Sequence, residues 1–186
     1  PDAVMAKNAA RAAYKYFHTQ FDWHSYNNES SEVSVFIHAD TDGGAQWVPT
    51  CDLIQIQTGR PSMDTLAHEL THGIIRRGSD LDYEFQPGAL NEHYADAMAC
   101  MADRIREGDD ADWTHAEDRT SGDGKVRDFA DPTTKGQPDH MSGLSYLYNS
   151  EEDEYDDDGG VHFNSGIPNK ALFLMVEGGN HGGYVA

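Results

Sequence analysis

The residues best placed to do chemistry are His68, Glu69 and His72. His68 and His72 are four apart, so on an α-helix they share a face, one turn apart, within reach of a single metal ion. Glu69 projects roughly 100° round such a helix from His68, close enough to touch a water on that metal without being a ligand. Three fixed residues in five are a modest signal on their own. Zinc sites that do chemistry use three protein ligands and leave one position for water, so a further donor is required. Glu92 is the candidate, twenty residues past His72 in the stretch Gly88-Ala89-Leu90-Asn91-Glu92-His93-Tyr94-Ala95-Asp96.

The helix that carries the two histidines is bounded by sequence. Ser62 suits the N-cap, with Asp64 in the favourable first turn, and Gly78 after Arg76 and Arg77 stops it. Met63, Leu66, Ala67, Leu70 and Ile74 form its buried stripe. A second helix is expected from about Ala89 to Arg106, with Leu90, Tyr94, Ala97, Met98, Met101 and Ile105 buried and Glu92 and Asp96 on another face. Two carboxylates then stand opposite two imidazoles. Upstream, Ala6, Ala9, Ala10, Ala13, Phe17 and Phe21 have helical period from Asp2 to about Phe21. Half-buried strands are expected at Glu32 to His38 and at about Asp52 to Gln57. Gly108 to Pro138 is polar and longer than loops usually are unless an ion or substrate organises them. The acidic run Glu151 to Asp158 reads as a solvated loop, and Pro168 opens a last helix reaching Glu177.

The chain has 186 residues, 38% of them apolar, which suffices for one packed domain or two small lobes. With 13 basic against 33 acidic residues its net charge is −20. That charge opposes nucleic acid and anionic membranes and favours bound cations, calcium among them. No apolar run approaches the roughly 20 residues of a membrane span, and Pro1-Asp2-Ala3 opens no basic-then-apolar leader, so the chain reads as soluble and, if secreted, processed. Cys51 and Cys100 are compatible with one disulfide or with two buried thiols, and spacing does not decide.

With Glu92 in place, the sequence resembles the thermolysin family of secreted neutral metalloproteases, whose His-Glu-x-x-His helix is followed by Asn-Glu-x-x-x-Asp on the next. The resemblance runs on through Tyr83, Arg127 ahead of Asp131-Pro132, Pro138-Asp139-His140, the stretch from Asp157 to Gly166, and Gly178-Gly179-Asn180-His181, nearly the whole chain. It implies a secreted zinc-dependent endopeptidase acting on peptides or proteins, without nucleic-acid or membrane partners. A propeptide or the remaining part of the catalytic module is the further partner it suggests. His68, His72 and Glu92 would hold one catalytic zinc, whose charge lowers the pKa of its water to about 7. Glu69 would take that water's proton and pass it to the leaving amine. Tyr83 and His162 would donate to the oxyanion, with Asp157 orienting His162. Asp96 would bond the free nitrogen of a zinc-bound imidazole, and Asn91 belongs to the same supporting layer. Arg127 would bind a substrate carbonyl, and Ala45 would pair its backbone with the bound peptide. One structural calcium is implied at Asp64, Asp103, Asp112, the Thr114 carbonyl and Glu117, which are hard oxygen donors.

Some positions depart from the family. Gly44 stands where an Asn usually precedes Ala45-Gln46-Trp47, and His115 where the main specificity pocket is usually lined by an apolar side chain. Asp103 is shorter than the usual Glu. The chain begins at the helix before the active-site strands and ends just after Gly182-Gly183, as a compact member or a fragment would. The expected fold is α+β and two-lobed. Residues 1–83 form an N-terminal lobe with the strands and the central helix, and 84–186 a helical and loop lobe carrying the third zinc ligand and His162. A non-catalytic zinc- and calcium-binding fragment is the alternative to the endopeptidase. Retention of Glu69, Tyr83 and His162 favours the enzyme, since a structural zinc needs none of them. His93 is expected to face away from the metal, while His18, His24, His38 and His140 have no assigned role.

Overall fold

A computed structural model describes residues 2–41, 44–108, 112–115, 127–142 and 157–185. The first helix, α1 (Asp2–Phe21), is followed by strands β1 (Ser34–Ile37), β2 (Ala45–Val48) and β3 (Leu53–Ile56), then by the long helices α2 (Met63–Arg77) and α3 (Phe85–Glu107). The sheet order is β1-β3-β2, with β1 parallel and β2 antiparallel to β3, so Val35 and Trp47 both lie opposite Ile54. β2 is therefore an edge strand. Two-residue strands β4 (Thr114–His115) and β5 (Arg127–Asp128) form a small antiparallel ladder. A 3-10 turn at Pro132–Lys135, the short α4 (Val161–Asn164), α5 (Gly166–Glu177) and the ladder of β6 (Asn180–His181) with β7 (Tyr184–Val185) complete the chain.

The main core lies between the sheet and the helices. Ile54 and Ile56 from β3 meet Leu66, Ala67 and Leu70 of α2, Ala13 and Phe17 of α1, and Ala99 and Ala102 of α3. Each fully buried Leu or Ile here is worth roughly 1.5–3 kcal/mol. α2 also lies very close to β2: a Cβ at Gly73 would stand 2.8 Å from the Trp47 ring. A second cluster joins Cys100, Trp113 and Phe129 to Leu172 and Phe173 of α5. It fastens the β4–β5 ladder against α3, and so fixes where His115 and Arg127 stand.

The structure bears out the amphipathic α1, the capped α2 and a strand within each expected range. β2 had no periodic signal, being four residues long and followed by Pro49. α3 begins one turn before Ala89, with Pro87 in the first turn where its missing N–H costs nothing. The expected buried stripe of α3 is corrected: Leu90, Tyr94 and Ile105 are exposed. The helix instead turns Asn91, Glu92, Asp96 and Asp103 inward beside Ala95, Ala99 and Ala102. Buried charges are tolerated when each finds a partner: His68 and His72 of α2, Arg127 of β5 and His162 of α4 serve Glu92 and Asp96, and Arg106 serves Asp103. Both cysteines are free, Cys51 exposed and Cys100 buried, so neither a disulfide nor a pair of buried thiols is present. The acidic run up to residue 156 and the calcium candidate Glu117 lie outside the described residues. No helix among the described residues is long and apolar enough to cross a membrane.

Candidate metal centre

The site begins at the start of α2. Ser62 caps it, its hydroxyl accepting from the Thr65 N–H at 3.4 Å while Asp64 Oδ1 accepts from the same N–H at 2.7 Å. With this end fixed, the helical period turns Leu66 and Leu70 to the core and His68 and His72 to α3. The two Nε2 atoms are 3.0 Å apart. Glu92, fully buried on α3, brings Oε2 to 3.5 Å from His68 Nε2 and Oε1 to 3.3 Å from His72 Nε2. Donors arranged tetrahedrally around an ion at 2.0–2.1 Å stand roughly 3.3–3.4 Å from one another. The three side chains therefore fit zinc in both donor chemistry and spacing.

Each imidazole is held from behind. Asn91 Oδ1 lies 2.8 Å from His72 Nδ1, and Asp96 Oδ1 lies 3.0 Å from His68 Nδ1. Both contacts engage Nδ1 and leave Nε2 facing the shared point, the arrangement by which neighbours fix a ligand's tautomer and ring angle. Arg127 reaches across from β5, with Nη1 2.5 Å from Asp96 Oδ1 and Nη2 3.1 Å from Glu92 Oε2. Burial alone would raise the carboxyls of Glu92 and Asp96. His162 and His72 outweigh it at Glu92, and Arg127 and His68 at Asp96, so both are held below their ordinary values. Arg127 is raised, because the two carboxylates outweigh its desolvation.

The two histidines are pulled in opposite directions. Burial, the largest influence on His68, pushes it down to about 3 despite Asp96. Burial presses on His72 too, but Glu92 and then Glu69 outweigh it and raise the ring to about 9. Glu69 is itself buried and acts electrostatically on His72, Tyr83 and Arg127, which puts its carboxylate beside the ligand cluster.

The open side carries proton donors. Tyr83 donates to Glu92 Oε1, and its hydroxyl is 3.2 Å from His162 Nε2. Asp157 holds His162 twice, accepting its backbone N–H at 3.0 Å and bonding ring Nδ1. Burial and then Glu92 push the Tyr83 phenol up, so it keeps its proton. At His162 burial is outweighed by Glu92 and Asp157, which raise it. Close packing sets the spacing of this pair, since a Cβ at Gly88 would lie 2.5 Å from Val161 Cγ1 and 2.9 Å from the Tyr83 backbone.

Known proteins carry the same arrangement of sequence. Residues 1–76 match the model of the thermolysin metallopeptidase catalytic domain, and residues 79–185 that of the thermolysin metallopeptidase alpha-helical domain. The chain belongs to the thermolysin metallopeptidase family. It is 37% identical over 183 residues to neutral protease NprE of Bacillus pumilus, covering 94% of this chain and 57% of that protein. It is 35% identical over 181 residues to bacillolysin of Bacillus amyloliquefaciens, covering 94% of this chain and 33% of that protein. Among solved structures, the precursor of protealysin, a metalloproteinase from Serratia proteamaculans, matches with a TM-score of 0.76 at 26% identity. That match covers 93% of this chain and 58% of the other. The chain thus spans between a third and three fifths of the length of these relatives. Its mixed helix and strand fold with a helical C-terminal part is the thermolysin-like one.

For this family member the structure brings His68, His72, Glu92, Asn91, Asp96, Arg127, Tyr83, His162 and Asp157 into one cluster. Ala45 is on the edge strand β2, opposite Ile56. Of the calcium candidates, Asp64 and Asp103 are buried near one another at the α2–α3 junction. Burial is the main reason Asp103 is raised to about 6, with Asp64 adding to it, while Arg106 lies 2.6 Å away. Asp112 is exposed and its Oδ1 accepts from the Thr114 N–H at 2.8 Å.

Two further residues enter the site, Asn169 without a sequence signal and His115, which the sequence marked only as a departure from the family's pocket lining. Asn169 of α5 donates to Asp96 Oδ2 at 2.9 Å and bonds His93 Nδ1 at 2.7 Å, so His93 does face away from the ligands, toward α5. An isolated Asn in a helix carries no pattern to mark it. His115 is 1% exposed and stacks on His68 with ring centroids 5.0 Å apart, its Nδ1 3.5 Å from Asp64.

Proposed function

We propose that this chain carries the catalytic centre of a zinc endopeptidase that hydrolyses peptide bonds in peptides or proteins. The observation that supports this best is the convergence of the His68, His72 and Glu92 donors at 3.0–3.5 Å, with buried Glu69 beside them and two proton donors on the open side. Zinc held by those three residues supplies Lewis acidity to water and to the scissile carbonyl. Glu69 takes the attacking water's proton and returns it to the leaving nitrogen. Tyr83 and His162 donate to the oxygen on which charge develops, the place where preorganised donors lower the barrier most. Asp157 keeps His162 oriented. Arg127 offers an N–H to a substrate carbonyl, and Ala45 pairs with an extended substrate along the outer side of edge strand β2. Asp64 and Asp103, with Asp112, Thr114 and Glu117, bind one calcium that relieves the repulsion between buried carboxylates. The functional division is residues 1–83 and 84–186. The chain acts outside the cell, as the name of a relative, the extracellular elastase of Staphylococcus epidermidis, suggests, and a propeptide is a partner to look for.

Peptide hydrolysis by the zinc-loaded full chain, with and without chelator, tests this reading together with Glu69→Gln. The variant is expected to bind zinc as the parent does and to lose about 10²–10⁴-fold in kcat, the usual worth of a general base. Undiminished turnover in Glu69→Gln would sink the mechanism. A folded, zinc-loaded parent that cleaves nothing would favour the non-catalytic fragment instead.

A further inference from the structure

We propose that His18, Asp22 and His24 form a second transition-metal site, at the C-terminal end of α1, which takes zinc independently of the His68–His72–Glu92 centre. These three residues each offer one ligand atom, and the atoms lie within 4.8 Å of one another. His18 is in the last turn of α1. The chain then reverses: the Asp22 N–H donates to His18 O at 3.1 Å, and Asp22 adopts a left-handed φ of 52°. That reversal throws His24 back onto His18, with ring centroids 4.5 Å apart at 53°. His24 is held there by its own backbone, its N–H donating to Asn28 Oδ1 at 3.0 Å and its carbonyl accepting from Ser30 at 3.3 Å.

The spacing and chemistry are those of a borderline metal. His24 Nε2 is already 3.6 Å from Asp22 Oδ1, near the roughly 3.4 Å edge of a tetrahedral zinc site. The remaining contraction needs only rotamer adjustments of exposed side chains, Asp22 being 92% exposed. Two imidazoles and one carboxylate select zinc, copper or nickel over calcium and magnesium, and three protein ligands leave a position for water. The negative end of the α1 dipole and the chain's net charge of −20 both attract a cation here. Neither α1 nor this loop contributes a ligand to the other centre, so the two sites fill separately. A bound ion cross-links the last turn of α1 to the loop that leads into β1.

Zinc bound per full-length chain, counted by equilibrium dialysis at neutral pH, decides the matter. The parent is expected to bind one equivalent more than His18→Gln/His24→Gln, whose far-UV circular dichroism stays unchanged, while His72→Ala keeps the α1 site and loses the other. Asp22→Asn should weaken the second equivalent by at least tenfold. Equal zinc content in the parent and the double variant would overturn the proposal. Should that variant not fold, the ring-nitrogen NMR resonances of His18 and His24 in His72→Ala give the answer. They shift on adding zinc if the site exists, and stationary resonances refute it.

Discussion

The two helices that build the candidate metal centre differ in the apolar surface they bury beside their polar groups. α2 sends Leu66, Ala67 and Leu70 into the apolar core and keeps its histidines for the other side. α3 hides Glu92 and Asp96 completely and leaves Leu90, Tyr94 and Ile105 in the open. What reconciles them is pairing: Glu92 and Asp96 meet His68, His72, Arg127 or His162, Asp103 meets Arg106, and small Ala95, Ala99 and Ala102 let the helices approach closely enough for the pairs to form. Burial on the core side of α2 follows hydrophobicity, while Asp64, His68 and Glu69 are buried on its other side. On α3 burial follows electrostatic complementarity, which makes α3 the more fragile element when one partner is removed.

The sharpest break of that contrast is Asp96→Ala. It leaves Arg127 with Glu92 alone of its two carboxylates and removes the acceptors used by His68 and Asn169. We expect a loss of about 3–5 kcal/mol, as for one member of a buried pair, read as a shift in denaturant midpoint. Leu66→Ala on the apolar face should cost a comparable 2–5 kcal/mol through its cavity. A cost for Asp96→Ala near that of an exposed residue would show that the polar face contributes nothing to the fold.

The next effect is one of pH. In the metal-free chain His68 is depressed to about 3, so its contribution to stability is present above the ordinary value of 6.5 and is lost as pH falls from there toward 3. His72 is raised to about 9, so its contribution is present below 6.5 and fades as pH rises toward 9. Metal-free stability from this pair should peak near pH 6.5. A zinc ligand must be unprotonated, so zinc affinity should climb about tenfold per pH unit between 7 and 9. Fluorescence-monitored zinc titrations across that range check the slope, and a flat profile contradicts it. Asn91→Ala, which frees His72 Nδ1, should weaken zinc binding by about 10–100-fold at fixed pH while moving the melting temperature little.

α1 and α2 were legible in the sequence because spacing alone shows an apolar stripe, and Ser62 and Gly78 mark where α2 starts and stops. The convergence of His68, His72 and Glu92 was legible because donor spacing and the Asn91–Asp96 stretch are local patterns. The inner face of α3 was legible only in part: Glu92 and Asp96 were expected opposite the imidazoles, but their further partners, Arg127 of β5 and His162 of α4, lie far along the chain and no local pattern marks them. His115 was marked only as a departure from the family's pocket lining, and its stacking on His68 was not legible because it depends on the β4–β5 ladder, two residues per strand and far too short for periodicity.

The smallest effect is the most discriminating test of α3. Leu90, at 40% exposure, sits between Asn91 on one side and Ala89 on the other, both buried. Sequence pattern makes it a core residue, for which Leu90→Gln would cost several kcal/mol. The structure makes it a surface residue whose replacement keeps helix propensity, since Leu and Gln are similar helix formers. The expected change is within about 0.5 kcal/mol, measured by urea denaturation of the full chain. A cost of several kcal/mol would mean that the outer face of α3 is covered in solution, and that the contrast with α2 describes a partner-free chain only.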